Sequence, residues 1–431
     1  MRRLRIVIKT LSPLYAGALK PYGAFLETGG EISGALLRGA VAAKTLPDCA
    51  APEFKHNHEA CGVKELCPFY YLTTGVAFPT CVVAEAERPT EPPLRTMVTC
   101  KTAPGFAAQQ KANDPRHGVF DTLLHHLAFN AAREASEGGL PPRKCEVCRA
   151  PLEPFTRRYV RGPRRHYRQA PVLRTQRMTH VGINRRRESA ERRLLFSVQS
   201  IVGMVVDGRV LPNAVFSGLM TLPDSWDDRL VEQLKHVLTS INRLGGEQTY
   251  GLGRVEVTVH EAEEGEPLET RVQAFNDKLK EVWDTYAGDA PVIEGGYFSI
   301  DLLTPALLGT PDGTPTVQLT AEMLKQRARD LGFGGVPDVE AVEYPDDVGT
   351  RRPLMFAAPA VVSGWSEAWG LPKPTSLAAV PGSVYVFRTR DLSAWLEALA
   401  AIEAQGIGAR REEGFGAIRV CDPFHEEVKP I

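Results

Sequence analysis

The sequence contains no apolar run of the roughly 18 to 20 residues that a membrane-spanning helix needs. Eight cysteines in 431 residues are too few for a small scaffold held together by disulfide bonds. Lys9 and Pro13 interrupt the apolar stretch after the basic first residues, so we interpret this segment as a strand and not as a signal peptide. We therefore expect a folded cytoplasmic protein of about two domains.

Lysine and aspartate are both missing from residues 157–193, a segment that contains thirteen arginines and only two acidic residues, Glu188 and Glu191. The whole chain, in contrast, has a net charge of −1. Guanidinium groups bind phosphate oxygens through two hydrogen bonds and stack on bases, and Tyr159, His166 and Tyr167 lie among the arginines. The segment predicts a site for single-stranded nucleic acid. The alternatives are a solvated basic loop or a docking strip for an acidic protein.

Two glycine-rich segments repeat along the chain, because Gly245, Gly251 and Gly253 each recur 163 positions later. Each copy follows a helical pattern, Leu230 to Leu244 and Leu392 to Ile402, and precedes an alternating pattern typical of a strand. The beginnings repeat as well, since a strand ends in Ser12-Pro13 and another in Thr304-Pro305. The interval from Pro13 to Gly245 in the first copy is 129 residues longer than the interval from Pro305 to Gly408 in the second. This difference indicates an insertion in the first copy.

This repeat predicts an α+β fold of two related units of ferredoxin-like type. We place the first domain at residues 1–262, with an insertion at about 46–195 that contains the zinc-knuckle and Arg-rich segments, and the second at 291–431. The acidic stretch that begins at Glu261 predicts a solvated connector near residues 262–292.

Glycine-rich turns allow positive φ angles, so that backbone N–H groups can converge on an anion such as phosphate. Arg254, Arg410 and Arg411 flank the two turns and would clamp the same anion. A third candidate is the helix that Ser33 is predicted to cap, which extends to about Lys44 with Arg38 one turn from its beginning. The alternative for the turns is that they close a hairpin and bind no phosphate. The alternative for the helix is that Ser33 caps it and no phosphate binds there.

Cys145 and Cys148 have the Cys-x-x-Cys spacing at which two thiolates bind one tetrahedral zinc ion. We predict that Cys100 and His117 complete this structural site, although Cys61, Cys67, His56 and His58 are also upstream donors. Buried reduced thiols are the alternative. The surrounding residues do not fit a zinc deaminase, because Glu59 directly follows His58 and Lys144 precedes Cys145.

His117 and Asp121 are four positions apart on a predicted helix, as are Asp121 and His125. An acid–base or metal pair is conceivable there, but we expect Asp121 to cap the helix.

Several segments together resemble the RAMP superfamily (repeat-associated mysterious proteins) of CRISPR-Cas systems. They are the strand with Ser12-Pro13, the segment from Ser33 to Ala40, residues 182–196 and both glycine-rich turns. More narrowly, Thr99-Cys100-Lys101, Pro104-Gly105-Phe106, the segment from His117 to Leu123 and the Cys145/Cys148 pair resemble the Csx-ten-type, Cas-five-like subunit of type III-D effector complexes.

This resemblance implies two RRM-like (ferredoxin-like) domains and a protein that caps the five-prime handle of a CRISPR RNA. Its neighbours would be the large signature subunit and the backbone RAMP subunits, with target RNA contacted indirectly. From this resemblance and the charge pattern together, the predicted RNA-binding residues are Arg38, Gly245, Gly246, Tyr250, Gly251, Gly253, Arg254, Gly408, Arg410, Arg411, Gly414, Phe415, Gly416, Arg164, Arg165, Arg168, Arg185, Arg186 and Arg187. Ala417 stands in the second turn where the first has Arg254.

We expect no catalytic residue. RAMP backbone subunits that cleave target RNA resemble one another in carrying an aspartate in a thumb loop, and residues 157–193 contain none. The alternative function is a RAMP endoribonuclease that processes precursor CRISPR RNA through His56, His58 or His117, or that cleaves target RNA. A further alternative is an arginine-rich adaptor that binds only protein.

Overall fold

The structure is a computed structural model, and it describes residues 2–17, 25–49, 53, 60–62, 67–107, 117–132, 141–263, 265–287, 295–345, 350–366 and 370–431. Seven α-helices lie within these ranges: α1 Gly34–Thr45, α2 Pro68–Thr73, α3 Leu123–Ala132, α4 Asp228–Thr239, α5 Leu268–Ala287, α6 Ala321–Asp330 and α7 Leu396–Gln405. None of the helices in the described ranges combines the length and apolar character needed to cross a membrane.

The principal strands are β1 Arg3–Thr10, β2 Cys81–Glu85, β3 Met97–Cys100, β4 Val119–Asp121, β5 Leu152–Pro154, β6 Val172–Asn184, β7 Ser189–Val206, β8 Val215–Thr221, β9 Val255–Glu261, β10 Gly296–Leu302, β11 Val339–Ala341, β12 Pro359–Val362, β13 Ser376–Ala379, β14 Val384–Thr389 and β15 Ile418–Val420. Shorter strands are Phe25–Leu26, Glu31–Ile32, Arg88–Pro89, Tyr159–Arg161, Tyr167–Gln169, Arg209–Leu211, Leu308–Gly309, Pro315–Thr316, Glu343–Pro345, Arg351–Pro353, Met355–Phe356, Trp365–Ser366 and Leu371–Pro372. The fold is α+β with mainly antiparallel sheets, as the sequence predicts.

The first large sheet has the strand order β9–β1–β8–β2, and its strands are antiparallel. Leu4, Ile6 and Ile8 alternate along β1 and are fully buried under α1 and α4. Ser33 caps α1 by accepting a hydrogen bond from the N–H of Leu36, which confirms the predicted cap and helix. Along the chain, the elements follow the order strand, helix, strand, strand, helix, strand.

The second large sheet repeats this arrangement in the order β11–β14–β10–β15. Its helices are α6 and α7, and Phe298, Ile300 and Leu302 of β10 are buried against them. In both sheets the strand before the Ser/Thr-Pro dipeptide therefore lies next to the strand that follows the glycine-rich turn. The predicted strand ends and strand beginnings of the repeat are confirmed.

The predicted connector near residues 262–292 is wrong for most of its length, because residues 268–287 form α5. Val272, Phe275 and Leu279 of this helix are buried in the same core as β10. The acidic residues that suggested a linker lie before the helix or on its solvent side, whereas the apolar residues recur at helical spacing.

A third, small sheet has the order β4–β3–β5 and carries the predicted cysteine-rich segment. Its residues Met97 and Val119, and Leu127 of α3, belong to the core of the second large sheet and not to that of the first. The segment therefore packs against a part of the molecule that is remote in sequence. The hairpin of β6 and β7 is separate again, and it is extended by Arg209–Leu211 and by Phe25–Leu26.

Candidate functional site

The structure brings the four predicted metal ligands together. Cys100 is the last residue of β3, and His117 lies two residues before β4, its neighbour. Cys145 and Cys148 lie in the turn that leads into β5, the other neighbour of β3. The four ligand atoms all lie within 4.8 Å of one another. Pairing of three strands thus places donors from three chain segments at one point.

The distances suit one tetrahedral ion. The Sγ atoms of Cys100 and Cys148 are 3.5 Å apart, and Nδ1 of His117 is 3.2 Å from Sγ of Cys145. Tetrahedral bonds of about 2.3 Å from zinc to sulfur would separate two sulfurs by about 3.8 Å. Cys100, His117 and Cys145 are buried, while Cys148 is exposed. A metal ion is therefore accommodated with small shifts of these side chains.

Backbone hydrogen bonds fix the cysteine turn. The N–H of Cys145 donates to the carbonyl of Ala150 at 2.8 Å, and the N–H of Arg149 donates to that of Cys145 at 2.9 Å, with Arg149 in the left-handed region at φ 60°. The hydrogen bond with Thr102 lowers the pKa of Cys148 to about 7, whereas burial raises the pKa of Cys145. Three sulfurs and one imidazole form a closed donor set, which is typical of structural sites and leaves no open position for a substrate.

The two glycine-rich turns have the same backbone conformation. Positive φ angles occur at four matched positions, each pair being 163 residues apart: Gly245 and Gly408, Glu247 and Arg410, Gly251 and Gly414, and Gly253 and Gly416. Gly253 donates its N–H to Pro13, as Gly416 does to Pro305, both at 2.8 Å. The repeat that the sequence predicts is thus a repeat of structure, in which each turn packs against its own Ser/Thr-Pro segment.

Contacts within the protein account for the glycines at these positions, and no bound anion is needed to explain them. The N–H groups of five glycines already donate to protein carbonyls: Gly246 to Tyr15, Gly251 to Gln248, Gly253 to Pro13, Gly414 to Arg411 and Gly416 to Pro305. A Cβ atom on Gly253 would lie 2.1 Å from the carbonyl oxygen of Leu244, and one on Gly416 would lie 1.8 Å from that of Ile407. The predicted convergence of these amides on a phosphate is therefore not the arrangement found.

The second turn also covers the beginning of α1. A Cβ atom on Gly34 would lie 2.6 Å from the carbonyl oxygen of Glu413, which leaves no space for a phosphate there. Arg38 stacks on the ring of Phe69 at 5.1 Å, and Arg410 stacks on Phe415 at 4.8 Å. Arg410 also forms a 2.7 Å ion pair with Glu413.

Part of the arginine-rich segment is neutralised inside the protein. Arg161 forms an ion pair of 2.5 Å with the buried Asp422, which Arg419 also contacts at 2.7 Å. Arg165 pairs with Glu426 at 2.6 Å and with Glu266 at 3.2 Å, and Arg168 pairs with Glu85 at 2.8 Å. The predicted RNA contacts at Arg165 and Arg168 would have to compete with these carboxylates. Arg164, with φ 55°, is exposed.

Arg157 is hydrogen-bonded to Gln169 and Arg158 to Thr90. The described arginines of residues 172–193 lie on the β6–β7 hairpin. Arg185, Arg186 and Arg187 form its tip, and Arg174 and Arg177 lie along β6; all five are exposed. The guanidinium of Arg177 stacks over Phe25 at 4.6 Å from the ring centre. Positive charge is therefore concentrated on the hairpin and not spread over the whole segment.

One contact that the sequence did not reveal joins this hairpin to the first glycine-rich turn. His180 of β6 stacks on Phe196 of β7, with ring centres 5.1 Å apart, and His180 also contacts Tyr250, at 5.3 Å. Tyr250 is 60% exposed. The pairing of His180 with Phe196 across the two strands could have suggested an aromatic pair only if the register had been known.

Of the three histidines of the alternative nuclease function, the structure describes only His117, which belongs to the metal cluster. His125, the partner considered for Asp121, is hydrogen-bonded to Tyr286 at 3.0 Å and to the carbonyl of Val428 at 3.1 Å. His56 and His58 lie outside the described residues. Asp121 ends β4 and does not lie on a helix with His117; its carboxylate accepts a hydrogen bond from the N–H of Leu123, the first residue of α3, at 2.7 Å.

Comparison with known proteins gives one family. The family model of CRISPR-associated protein (Cas_Cmr3) matches residues 172–421, more than half of the chain. No curated protein matches. A chain of a type III-B Cmr-beta complex bound to cognate target RNA and AMPPnP is similar at 12% identity, with a TM-score of 0.37, over 89% of this chain and 86% of that chain. A chain of a type IV-B CRISPR complex is similar at 14% identity, with a TM-score of 0.24, over 61% and 93%. These TM-scores are too low to establish a shared fold.

Proposed function

The chain belongs to the Cas_Cmr3 family of CRISPR-associated proteins, and from this premise we propose that it is a non-catalytic RNA-binding subunit of a type III effector complex. Its ligand is the five-prime handle of the CRISPR RNA, which it caps. Its partners are the large signature subunit and the backbone RAMP subunits of that complex, and type III-D is the subtype that its motifs resemble.

The observation that carries the RNA-binding part of the proposal is the contact of Tyr250 with His180. It brings the first glycine-rich turn, with the exposed ring of Tyr250, next to the hairpin that carries the exposed arginines. Single-stranded RNA is bound by this combination, since bases stack on rings while phosphates pair with cations. The predicted contacts with exposed side chains are Arg164, Arg185, Arg186, Arg187, Tyr250 and Arg254.

The proposal includes two ferredoxin-like RAMP domains, at residues 1–262 and 291–431. Support comes from the matching element order and from the antiparallel strand orders β9–β1–β8–β2 and β11–β14–β10–β15. It also includes zinc as a structural ion at Cys100, His117, Cys145 and Cys148, because three sulfurs and one nitrogen suit zinc. The ion would hold the cysteine turn against β3 and β4.

The test uses the full chain and a single-stranded RNA of the handle sequence. We expect replacement of Arg185, Arg186 and Arg187 by alanine to weaken binding and to reduce the slope of log affinity against log salt by about 2, at about 0.7 per phosphate contact. The matched control replaces the same three residues by lysine, which preserves the charge and should preserve most of the slope. Equal affinity and equal slope for the wild-type and alanine proteins would contradict the proposal.

A second measurement separates binding from cleavage. The handle RNA joined to its upstream repeat is incubated with the protein in the absence of added metal, and we expect it to remain intact. A single discrete cut that is lost on His56→Ala, His58→Ala or His117→Ala substitution would favour the endoribonuclease.

A further inference from the structure

Tyr250 is the outer ring of a row of three that runs from the hairpin to the glycine-rich turn. Phe196 and His180 are half-buried and nearly parallel, with an angle of 20° between their planes, and Tyr250 lies against His180 at an angle of 50°. Tyr250 is 60% exposed, so this end of the row lies at the surface of the protein. An exposed aromatic ring that is supported from behind can stack on a further flat group.

The turn that carries Tyr250 is held in a fixed conformation. Gln248 donates its side-chain N–H to the carbonyl of Gly245 at 2.8 Å, and Arg243 donates to the carbonyl of Gln248 at 3.1 Å. Gly251 closes the turn in the left-handed region, at φ 85°. Because both the turn and the supporting rings are fixed, little side-chain freedom remains to be lost when a ligand stacks on Tyr250.

The charges around the row indicate what kind of flat group it would receive. The hairpin that provides His180 and Phe196 also carries the exposed Arg174 and the exposed cluster at 185–187, whereas Arg177 lies on its other face, over Phe25. A ligand with a planar ring and an anionic backbone satisfies both features at once, and a nucleotide in a single strand is such a ligand.

The second glycine-rich turn offers an internal comparison. The position that matches Tyr250, 163 residues later, is Glu413, which is engaged by Lys373 at 2.6 Å and by Arg410 at 2.7 Å. An acidic residue bound to two cations provides no stacking surface. The repeat therefore has an exposed ring at this position in only one of its two copies, the copy next to the arginine-bearing hairpin.

We propose that Tyr250, supported by His180 and Phe196, is a stacking platform for one unpaired nucleobase of the bound RNA. The inference rests on the proposed function, because it names how the same surface contacts its ligand. It assigns to His180 and Phe196 a supporting role and to Tyr250 direct contact with the base. Stacking of this kind tolerates any base, so the platform would fix the position of the strand without selecting its sequence.

The test measures base stacking directly. Handle RNAs that carry 2-aminopurine at one position each are bound to the full chain, and the platform is expected to quench the fluorescence strongly at one position. Tyr250→Phe should retain this quenching. Tyr250→Leu should abolish it and weaken binding by roughly 5- to 50-fold, in line with the loss of one base–aromatic stack. Trp365→Leu, which removes an exposed ring from a different hairpin, should change neither quantity.

A second measurement needs no variant. Ultraviolet irradiation of the wild-type complex should cross-link RNA to the peptide that contains Tyr250. Quenching that is unchanged in Tyr250→Leu, or cross-links found only on other peptides, would overturn the platform while leaving RNA binding intact. Failure of the wild-type protein to bind the RNA would instead overturn the proposed function and the platform with it.

Discussion

The imidazole of His425 and the carboxylate of Asp301 form a fully buried ion pair, with Nε2 and Oδ1 3.1 Å apart. The other ring nitrogen, Nδ1, lies 3.2 Å from Oδ1 of Asp121, which is equally buried. Asp121 ends β4 of the cysteine-bearing sheet, Asp301 lies on β10, and His425 follows β15. One histidine therefore lies between a carboxylate of the cysteine-bearing sheet and a carboxylate of the second large sheet.

This arrangement predicts a loss of stability at alkaline pH. Burial alone lowers the pKa of His425, but the two carboxylates outweigh it and hold the pKa well above its usual value of about 6.5. The pKa of His425 is therefore higher in the folded protein than in the unfolded chain. Its contribution to stability is complete below about pH 6.5 and is lost as pH rises through the folded-state pKa. We expect the thermal midpoint to decrease as pH is raised from 6.5 into the alkaline range.

His425→Gln removes the titrating group and serves as the control. This variant should be less stable at pH 6.5 by about 3–5 kcal/mol, because two buried carboxylates lose their cation. Its thermal midpoint should change less with pH than that of the wild-type protein over the same range. Parallel pH profiles for the two proteins would show that His425 is not charged in the folded state.

The metal centre predicts a stoichiometry of one ion per chain. Elemental analysis of the purified protein should find zinc, and Cys145→Ser should reduce its content because the site would keep three of its four donors. Cys49→Ser is the matched control, since Cys49 lies outside the cluster and should leave the zinc content unchanged. Removal of the ion with a chelator should lower the thermal midpoint, because metal binding contributes to folding free energy.

The repeat and the Cys145/Cys148 pair could be predicted from the sequence because each is visible as a spacing along the chain. Glycines that recur with a constant offset, and two cysteines separated by two residues, are visible without knowledge of the fold. The partners of the arginines are not visible in this way. Arg161 and Asp422 are 261 positions apart, and only the packing of the cysteine-bearing segment on the second core brings them together. Counting charges within a segment therefore overestimated its free positive charge.

Neither α5 nor the row of rings was predicted from the sequence, and the two failures have different reasons. The helix α5 does carry an apolar pattern at helical spacing, in Val272, Phe275 and Leu279, but the acidic residues before it suggested a linker. The contact between His180 and Tyr250 depends instead on hairpin register and on how the hairpin docks, and neither follows from local sequence.

Two glycines of the first turn provide a test of the close packing. Gly251 and Gly253 both have positive φ angles, 85° and 80°, but only Gly253 lies against a neighbour, the carbonyl of Leu244. Gly251→Ala should cost about 1–2 kcal/mol, the backbone penalty for a side chain in the left-handed region. Gly253→Ala should cost more, since the added Cβ would also lie 2.1 Å from an oxygen atom. Equal denaturation midpoints for the two variants would contradict this difference.

The arginines of residues 157–193 should separate into two groups when they are replaced one at a time. Arg161→Met leaves the buried Asp422 with one cation fewer and should lower stability by about 3–5 kcal/mol, the usual range for breaking a buried ion pair. Arg186→Met, at the exposed hairpin tip, should change stability by less than about 0.5 kcal/mol while weakening RNA binding. Chemical denaturation and RNA titration of both proteins give the comparison.

The control is Arg161→Lys, which retains the charge and should lose less stability than Arg161→Met. If Arg161→Met were as stable as the wild-type protein and weakened RNA binding as much as Arg186→Met, the whole segment would face the RNA and the internal ion pairs would not hold in solution.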